Sequence, residues 1–236
     1  MRIGIVGSGN MGRVLGGGWA LHGHEVFFGA RDPDAAERAA ALARAQGAAS
    51  VQAGSNRAAA VFGEVVLYCP RNVDPAEVVG EVAVLDGKVV IDLNNWPVPD
   101  GGFAFAPVTV SLAEKLQAWL PRAHVVKAFN TMAQELFEMD TDSLRSHAVS
   151  AFLCADHAPA RDTVAALARE LGLAPVDMGP LRNARIVEPM GDVIRYLILA
   201  GGLGPFAALK VERLPVAATG RFGGRKASGW WAANVG

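Results

Sequence analysis

The first residues of this 236-residue chain that could do chemistry are a glycine turn, Gly7-Ser8-Gly9-Asn10-Met11-Gly12. Its spacing is G-x-G-x-x-G, and it stands between the β-branched run Ile3-Gly4-Ile5-Val6 and an apolar stretch of helical period. In that position the first glycine permits a tight turn, the second lets the backbone approach a pyrophosphate, and the third lets helix pack on strand. The helix N-terminus then presents free N–H groups and the positive end of its dipole to the anion. The alternative is a plain glycine-rich turn that binds nothing.

The end of the second strand bears on which dinucleotide fits. There the chain reads Phe27-Phe28-Gly29-Ala30-Arg31-Asp32-Pro33. NAD-binding chains usually place an acid about 20 residues past the glycines, against the ribose 2'-hydroxyl. Gly29 leaves space where that acid would stand, Ala30 adds no charge, and Arg31 can fork onto a 2'-phosphate. Charge-assisted hydrogen bonds of about 1.5–3 kcal/mol correspond to roughly 10- to 100-fold in favour of NADP. Asp32 is the competing ribose ligand, but with Pro33 behind it this residue reads as the N-cap of the next helix.

Three more loops follow strands, and ligands of doubly wound sheets bind at such carboxyl ends. They are Cys69-Pro70-Arg71, Asn94-Asn95-Trp96-Pro97 and Asn130-Thr131-Met132. Asn94, Asn130 and Thr131 offer neutral donors and acceptors for a carboxamide or a flavin-like edge, and Trp96 and Met132 offer apolar walls. Pro70, Arg71 and Asn94 are expected on the cofactor side, and Asn95, Trp96, Asn130, Thr131 and Met132 on the substrate side. Acid–base machinery is thin: two tyrosines, no Tyr-x-x-x-Lys spacing, and five histidines that read as structural. No ligand spacing for a metal is present. Hydride transfer between two rings held face to face needs little proton handling, because proximity and orientation supply much of the barrier reduction. No side chain is therefore assigned a catalytic role.

The elements that must position these residues alternate in a βαβ rhythm. Strands are expected at Arg2–Val6, Glu25–Phe28, Val65–Tyr68, Lys88–Ile91, Val125–Phe129 and Val149–Cys154, with an extended Pro175-Val176-Asp177, one helix soon after Asn130, and helices near 11–21, 33–46, 75–82, 111–120, 159–171 and 181–200. Strands without alternation are buried on both faces, as parallel sheets require. The alanine-rich stretch Ala35–Ala60 reads as ordinary helical material. Gly16-Gly17-Gly18 inside the first helix is unexpected, since each glycine costs roughly 1 kcal/mol against alanine. The expected fold is α/β, a Rossmann-type doubly wound parallel sheet with a smaller C-terminal, mostly helical unit. Residues 1–130 form the NADP-binding domain, 131–210 the substrate or dimerisation unit, and 211–236 a tail carrying Arg213, Arg221, Arg225, Lys226, Trp230 and Trp231.

Composition removes other classes. Lys plus Arg number 22 against 23 Asp plus Glu, a net charge of −1, so no basic excess exists for nucleic acid. With 51% hydrophobic and 19% charged residues the chain can bury a core. No run reaches the roughly 20 apolar residues of a membrane span, because Arg195 interrupts Val193–Ala200. Two cysteines without C-x-x-C spacing suit a reducing compartment, and no signal peptide is read at the N-terminus. A cytoplasmic protein without membrane or nucleic-acid partners is expected.

The glycine turn, Gly29-Ala30-Arg31-Asp32-Pro33, Lys127-Ala128-Phe129-Asn130-Thr131, and Asp177 through Arg185 with Glu188 together resemble the coenzyme F420-dependent NADP oxidoreductase family over about residues 1–209. The segment from Asp92 to Thr131 is also similar to the cytosolic domain of STEAP-type metalloreductases, which pass electrons from NADPH to a flavin. The resemblance implies a homodimer exchanging hydride between NADP(H) and F420. It places Ser8, Gly9, Asn10 and Met11 on the phosphates, Arg31 on the 2'-phosphate and Asn94 near the nicotinamide, with Asn130, Thr131, Leu203 and Phe206 around the deazaflavin. The chain departs from archaeal members in having Ala30 where they carry serine and Asn130 where they carry histidine. The alternatives are an NADPH-dependent reductase of a flavin (FMN or FAD) or of an imine or carbonyl metabolite and, in another class, a non-catalytic NADP(H)-binding regulator. Replacing Arg31 with Ala is expected to raise KM for NADPH about tenfold or more while hardly changing that for NADH. Steady-state kinetics with both nucleotides checks it, and equal effects would count against the phosphate contact.

Overall fold

A computed structural model describes residues 1–98, 102–103 and 107–214. Arg221, Arg225, Lys226, Trp230 and Trp231 of the expected tail lie outside the described residues. Eight strands make one sheet: β1 (Arg2–Val6), β2 (Glu25–Ala30), β3 (Val51–Ser55), β4 (Val65–Tyr68), β5 (Val89–Asp92), β6 (His124–Lys127), β7 (Ser150–Ala155) and β8 (Ala174–Asp177), in the order 3-2-1-4-5-6-7-8. The first six run parallel, which is the Rossmann order with its switch point between β1 and β4. β7 joins β6 antiparallel, and β8 runs parallel to β7.

Helices cover both faces: α1 (Asn10–Leu21), α2 (Pro33–Ala45), α3 (Asn56–Phe62), α4 (Pro75–Val79), α5 (Leu112–Trp119), α6 (Thr141–His147), α7 (Ala158–Glu170) and α8 (Ala184–Leu199). Because successive strand residues point to opposite faces, the core divides in two. Ile3, Ile5, Leu67, Ile91 and Val126 pack with Leu15 and Trp19 of α1 and Leu167 of α7. Val6, Val66, Tyr68, Val90 and Val125 pack with Ala59 of α3, Leu116 of α5 and Val187 of α8. Burial on both sides is why these strands read as continuous apolar runs.

One strand and one helix escape the sequence reading. β3, Val-Gln-Ala-Gly-Ser, is an edge strand with no fully buried residue and weak β-propensity. α3 starts where the Ser55 hydroxyl accepts from the Ala58 amide at 3.1 Å, a cap concealed within alanine-rich sequence. α3 also corrects the expectation for Gly29. A Cβ there would lie 2.8 Å from Ala59 Cβ and 2.9 Å from Asn56 Cα, so the space is filled by α3 and is not open to a ligand. At Gly4 a Cβ would stand 2.1 Å from the Ala59 carbonyl oxygen. The triple glycine of α1 divides similarly: Gly16 meets Phe28 and Gly18 meets Leu171, whereas Gly17 has nothing within 4 Å.

Gly4→Ala must overpack a backbone contact and is expected to cost at least ~1–3 kcal/mol. Gly17→Ala should add about 0.5–1 kcal/mol by lowering the entropy of the unfolded chain. Urea unfolding of the two variants measures both, and their opposite signs are the check.

Candidate functional site

The turn after β1 is built from backbone. Gly7 adopts φ +94°, a left-handed conformation that favours glycine, and its N–H donates to Asn56 Oδ1 at 3.0 Å and the Gly29 carbonyl at 3.1 Å. Gly12 cannot carry a side chain, because a Cβ would fall 2.3 Å from the Gly7 carbonyl oxygen. No side chain caps α1 and no acid sits in its first turn, and none of the described residues accepts from the amides of Gly9, Asn10 or Met11. Nothing lies within 4 Å of a Cβ built on Gly9. The Ser8 amide and hydroxyl both donate to the Gly29 carbonyl, at 2.9 and 2.8 Å. Ala30 ends β2, and Arg31 follows it exposed. Asp32 caps α2, accepting from Asp34 N at 3.0 Å and pairing with Arg38 at 3.3 Å. That leaves the arginine as the side chain beside the turn suited to a phosphate. Uncapped amides, an open approach at Gly9 and an exposed guanidinium fit a phosphorylated dinucleotide.

Strand register assembles the rest. Tyr68, Asp92 and Lys127 are cross-strand neighbours at the ends of β4, β5 and β6, so the loops after them emerge side by side. Lys127 is fully buried, and its ammonium donates to Asp92 Oδ2 at 2.7 Å, to Glu188 Oε1 of α8 at 2.9 Å and to the Asn94 carbonyl. Asp92 Oδ1 accepts from the Asn94 amide at 3.2 Å and from its side-chain Nδ2 at 2.9 Å. Glu188 also accepts from Leu112 N at 2.8 Å and Ala113 N at 3.3 Å, which caps α5. Burial pushes the Glu188 carboxyl up, and the Lys127 charge pulls it back. Neither Asp92 nor Lys127 was assigned a role from sequence. The available signal was one acid and one base at the equivalent last positions of two otherwise apolar runs.

These loops enclose a cleft of about 170 Å³. Of the residues expected in the site, Met11, Arg71, Asn94, Asn95, Asn130 and Met132 line it together. Phe129, at φ +60°, makes the turn that delivers Asn130 and packs edge-on against Trp19 at 5.8 Å. Asn130 Nδ2 donates to Asn95 Oδ1 at 2.8 Å and the Val187 carbonyl at 2.9 Å. Thr131 is buried beside them, its hydroxyl without a partner among the described residues. Pro70 borders the glycine turn, its carbonyl 3.4 Å from Asn94 Nδ2. The Trp96 ring turns away toward α5, donating to the Val110 carbonyl at 3.1 Å with the Lys115 ammonium 5.2 Å from its centre. Leu203 is exposed, and Phe206 lines a separate groove with Leu136, Met139 and Leu144. A groove of about 610 Å³ between α1, α2 and residues 137–144 is lined by none of the expected site residues.

Sequence reading missed the α8 wall of the cleft: Ile194, Arg195 and Ile198. Arg195 donates to the Trp96 carbonyl at 2.9 Å and lies 2.7 Å from Asp192. It is the same arginine that breaks the apolar run near the C-terminus. Other titratable groups nearby are occupied or inert. The Tyr68 hydroxyl donates to the Val73 carbonyl at 2.8 Å, and burial pushes the Cys69 thiol up to about 12. The histidines have local partners, including His24 on Glu170 at 2.7 Å and His124 stacked on His157 at 3.7 Å. No metal-ligating cluster and no helix long and apolar enough to cross a membrane occur among the described residues.

Residues 2–96, which carry the glycine turn, Arg31 and Asn94, match the family NADP oxidoreductase coenzyme F420-dependent. The resemblance is to NADP-linked oxidoreductases. The F420-dependent NADP reductase of Methanothermobacter marburgensis is 28% identical over 234 residues, covering 91% of this chain and 100% of its own. Metalloreductase STEAP3 of Rattus norvegicus is 29% identical over 187 residues; the match covers 79% of this chain, which spans only 36% of that relative. A crystal structure from Arthrobacter sp. FB24, assigned as an F420-dependent NADP reductase, superposes with a TM-score of 0.75 at 27% identity over 90% of this chain and 100% of that one.

α8 grips α5 a second time through Arg185, whose guanidinium donates to both Glu114 oxygens at 2.8 and 2.6 Å, while Ser111 and Glu114 form a capping box. Arg185, aided by Ser111, holds the Glu114 carboxyl down at about 2. The folded-state value is depressed, so the stabilisation is present above the ordinary value of 4.5 and is lost as pH falls through about 2. Glu114→Gln is expected to lower the melting temperature at neutral pH, with the gap to the parent protein closing as the pH falls toward 2. Thermal unfolding across that range measures it.

Proposed function

We propose that the chain transfers a hydride between NADP(H) and the deazaflavin coenzyme F420. The observation that carries this reading is the continuity of two surfaces: uncapped amides beside an exposed Arg31, leading through Met11 into a cleft lined by neutral amides, apolar side chains and two arginines. The amides of Gly9, Asn10 and Met11 would hold the pyrophosphate, Arg31 the 2'-phosphate, and Asn94 with Pro70 and Arg71 the nicotinamide end. Asn95, Asn130, Thr131 and Met132 would border the second ring. The nicotinamide supplies the hydride chemistry when bound; the chain supplies orientation and shelter from water. Among the described residues lining the cleft there is no carboxylate, imidazole, amine, phenol or thiol.

Residues 1–130 would act as the dinucleotide-binding part and 131–210 as the part completing the acceptor site and a homodimer. The exposed Ile186, Val193 and Leu199 of α8 support such a face. A second acceptor class, a flavin, is what the resemblance to STEAP-type metalloreductases implies, and the chain is similar to one such protein over 187 residues. Purified protein given NADPH with F420, FMN or FAD in separate reactions, followed through the nicotinamide absorbance, should oxidise NADPH fastest with F420. Oxidation with FMN alone would shift the assignment to a flavin reductase, and binding without turnover on any ring would favour a regulator.

A further inference from the structure

We infer that the protein reads the nicotinamide carboxamide through the side-chain oxygen of Asn94, held as an acceptor by Asp92 and Lys127, an inference that rests on the dinucleotide reading above and adds the polarity of the contact. An asparagine amide can face either way unless its neighbours forbid one orientation. Here Asn94 Nδ2 donates to Asp92 Oδ1 at 2.9 Å, the Tyr68 carbonyl at 3.3 Å and the Pro70 carbonyl at 3.4 Å. All three atoms accept only, so turning the amide would set its oxygen against three oxygens. Oδ1 therefore faces away from them, Asn94 lines the cleft, and none of the described residues donates to that oxygen.

Asn130 repeats the pattern independently. Its Nδ2 is committed to Asn95 Oδ1 and the Val187 carbonyl, and its own Oδ1 is buried without a partner among the described residues. A buried acceptor lacking a donor is costly, which favours an N–H at Asn130 Oδ1, and Asn94 offers a second acceptor on the same cleft wall. The cleft thus asks for donors. The nicotinamide carboxamide carries an NH₂ of that kind.

Asp92 and Lys127 are positioning residues. The Lys127 ammonium spends its three N–H groups on Asp92 Oδ2, the Asn94 carbonyl and Glu188. That fixes the Asn94 backbone and leaves Asp92 Oδ1 to hold the side-chain amide. Neither group needs to touch the ligand for the selection to work.

Equilibrium binding tests this without turnover. Calorimetric titration compares NADP+ with its 3-acetylpyridine analogue, in which a methyl group replaces the carboxamide NH₂. The parent protein should bind NADP+ about tenfold tighter. Asn94→Ala should bring the ratio near one by removing the acceptor. Asp92→Asn should do the same by another route, since a neighbour able to donate lets the Asn94 amide turn. Circular dichroism reports whether this second variant is folded, and if it is not, Asn94→Ala decides alone. A ratio near one in the parent, or an unchanged ratio in Asn94→Ala, overturns the inference and leaves dinucleotide binding standing. No heat from either nucleotide with the parent removes the dinucleotide reading and the inference together.

Discussion

Lys127 places one ammonium between two carboxylates at the end of the sheet, and the geometry of the cleft depends on it. Its partners come from three elements: Asp92 from β5, the Asn94 carbonyl from the loop after it, and Glu188 from α8. Removing ions from water is expensive, and apolar replacements of similar volume are often as stable or more so. The value of the group is therefore geometric. It has hydrogen-bond partners on every side, and breaking one buried member of such a set costs about 3–5 kcal/mol, so β5, β6 and α8 are held in one arrangement.

From that anchor the chemistry follows in two directions. Toward β5 and β6, the network orders the Asn94 amides at the cleft wall. Toward α5, Glu188 supplies the acceptor for the first helical amides, and Arg185 ties the same helix end through Glu114. The N-terminus of α1 is treated oppositely, left without a side-chain cap. Two helix ends with the same unmet donors are thus assigned different tasks: one is satisfied by protein and fixes structure, the other faces outward and suits an anion.

The cleft's charge is set by what is absent from its lining as much as by what is present. Arg71 and Arg195 enter it, and no carboxylate is among the described residues that line it. Burial lowers the Arg195 guanidinium from its ordinary value; Asp192 opposes that shift and Arg71 adds to it. The remaining polar side chains of the lining are the neutral Asn94, Asn95 and Asn130.

The sequence by itself determined the Rossmann sheet, the glycine turn and the loops that meet in the cleft, because each is written locally: β-branched runs, G-x-G-x-x-G, and asparagines at strand ends. It also determined that Asp32 would cap α2, since an acid before a proline at the first helical position states its own role. Tertiary structure decided the rest. Gly29 looked like room for a ligand but is contact with α3, a helix whose cap was hidden among alanines. Trp96 turned toward α5, Phe206 joined a different groove, and Arg195 entered the cleft from a helix 99 residues beyond Trp96. Asp92, Lys127 and Glu188 carry no local pattern; their pairing exists only because parallel register sets two strand ends side by side and a distant helix closes over them. Which way an amide faces is likewise decided by the acceptors packed around it, and those come from loops far apart in the chain.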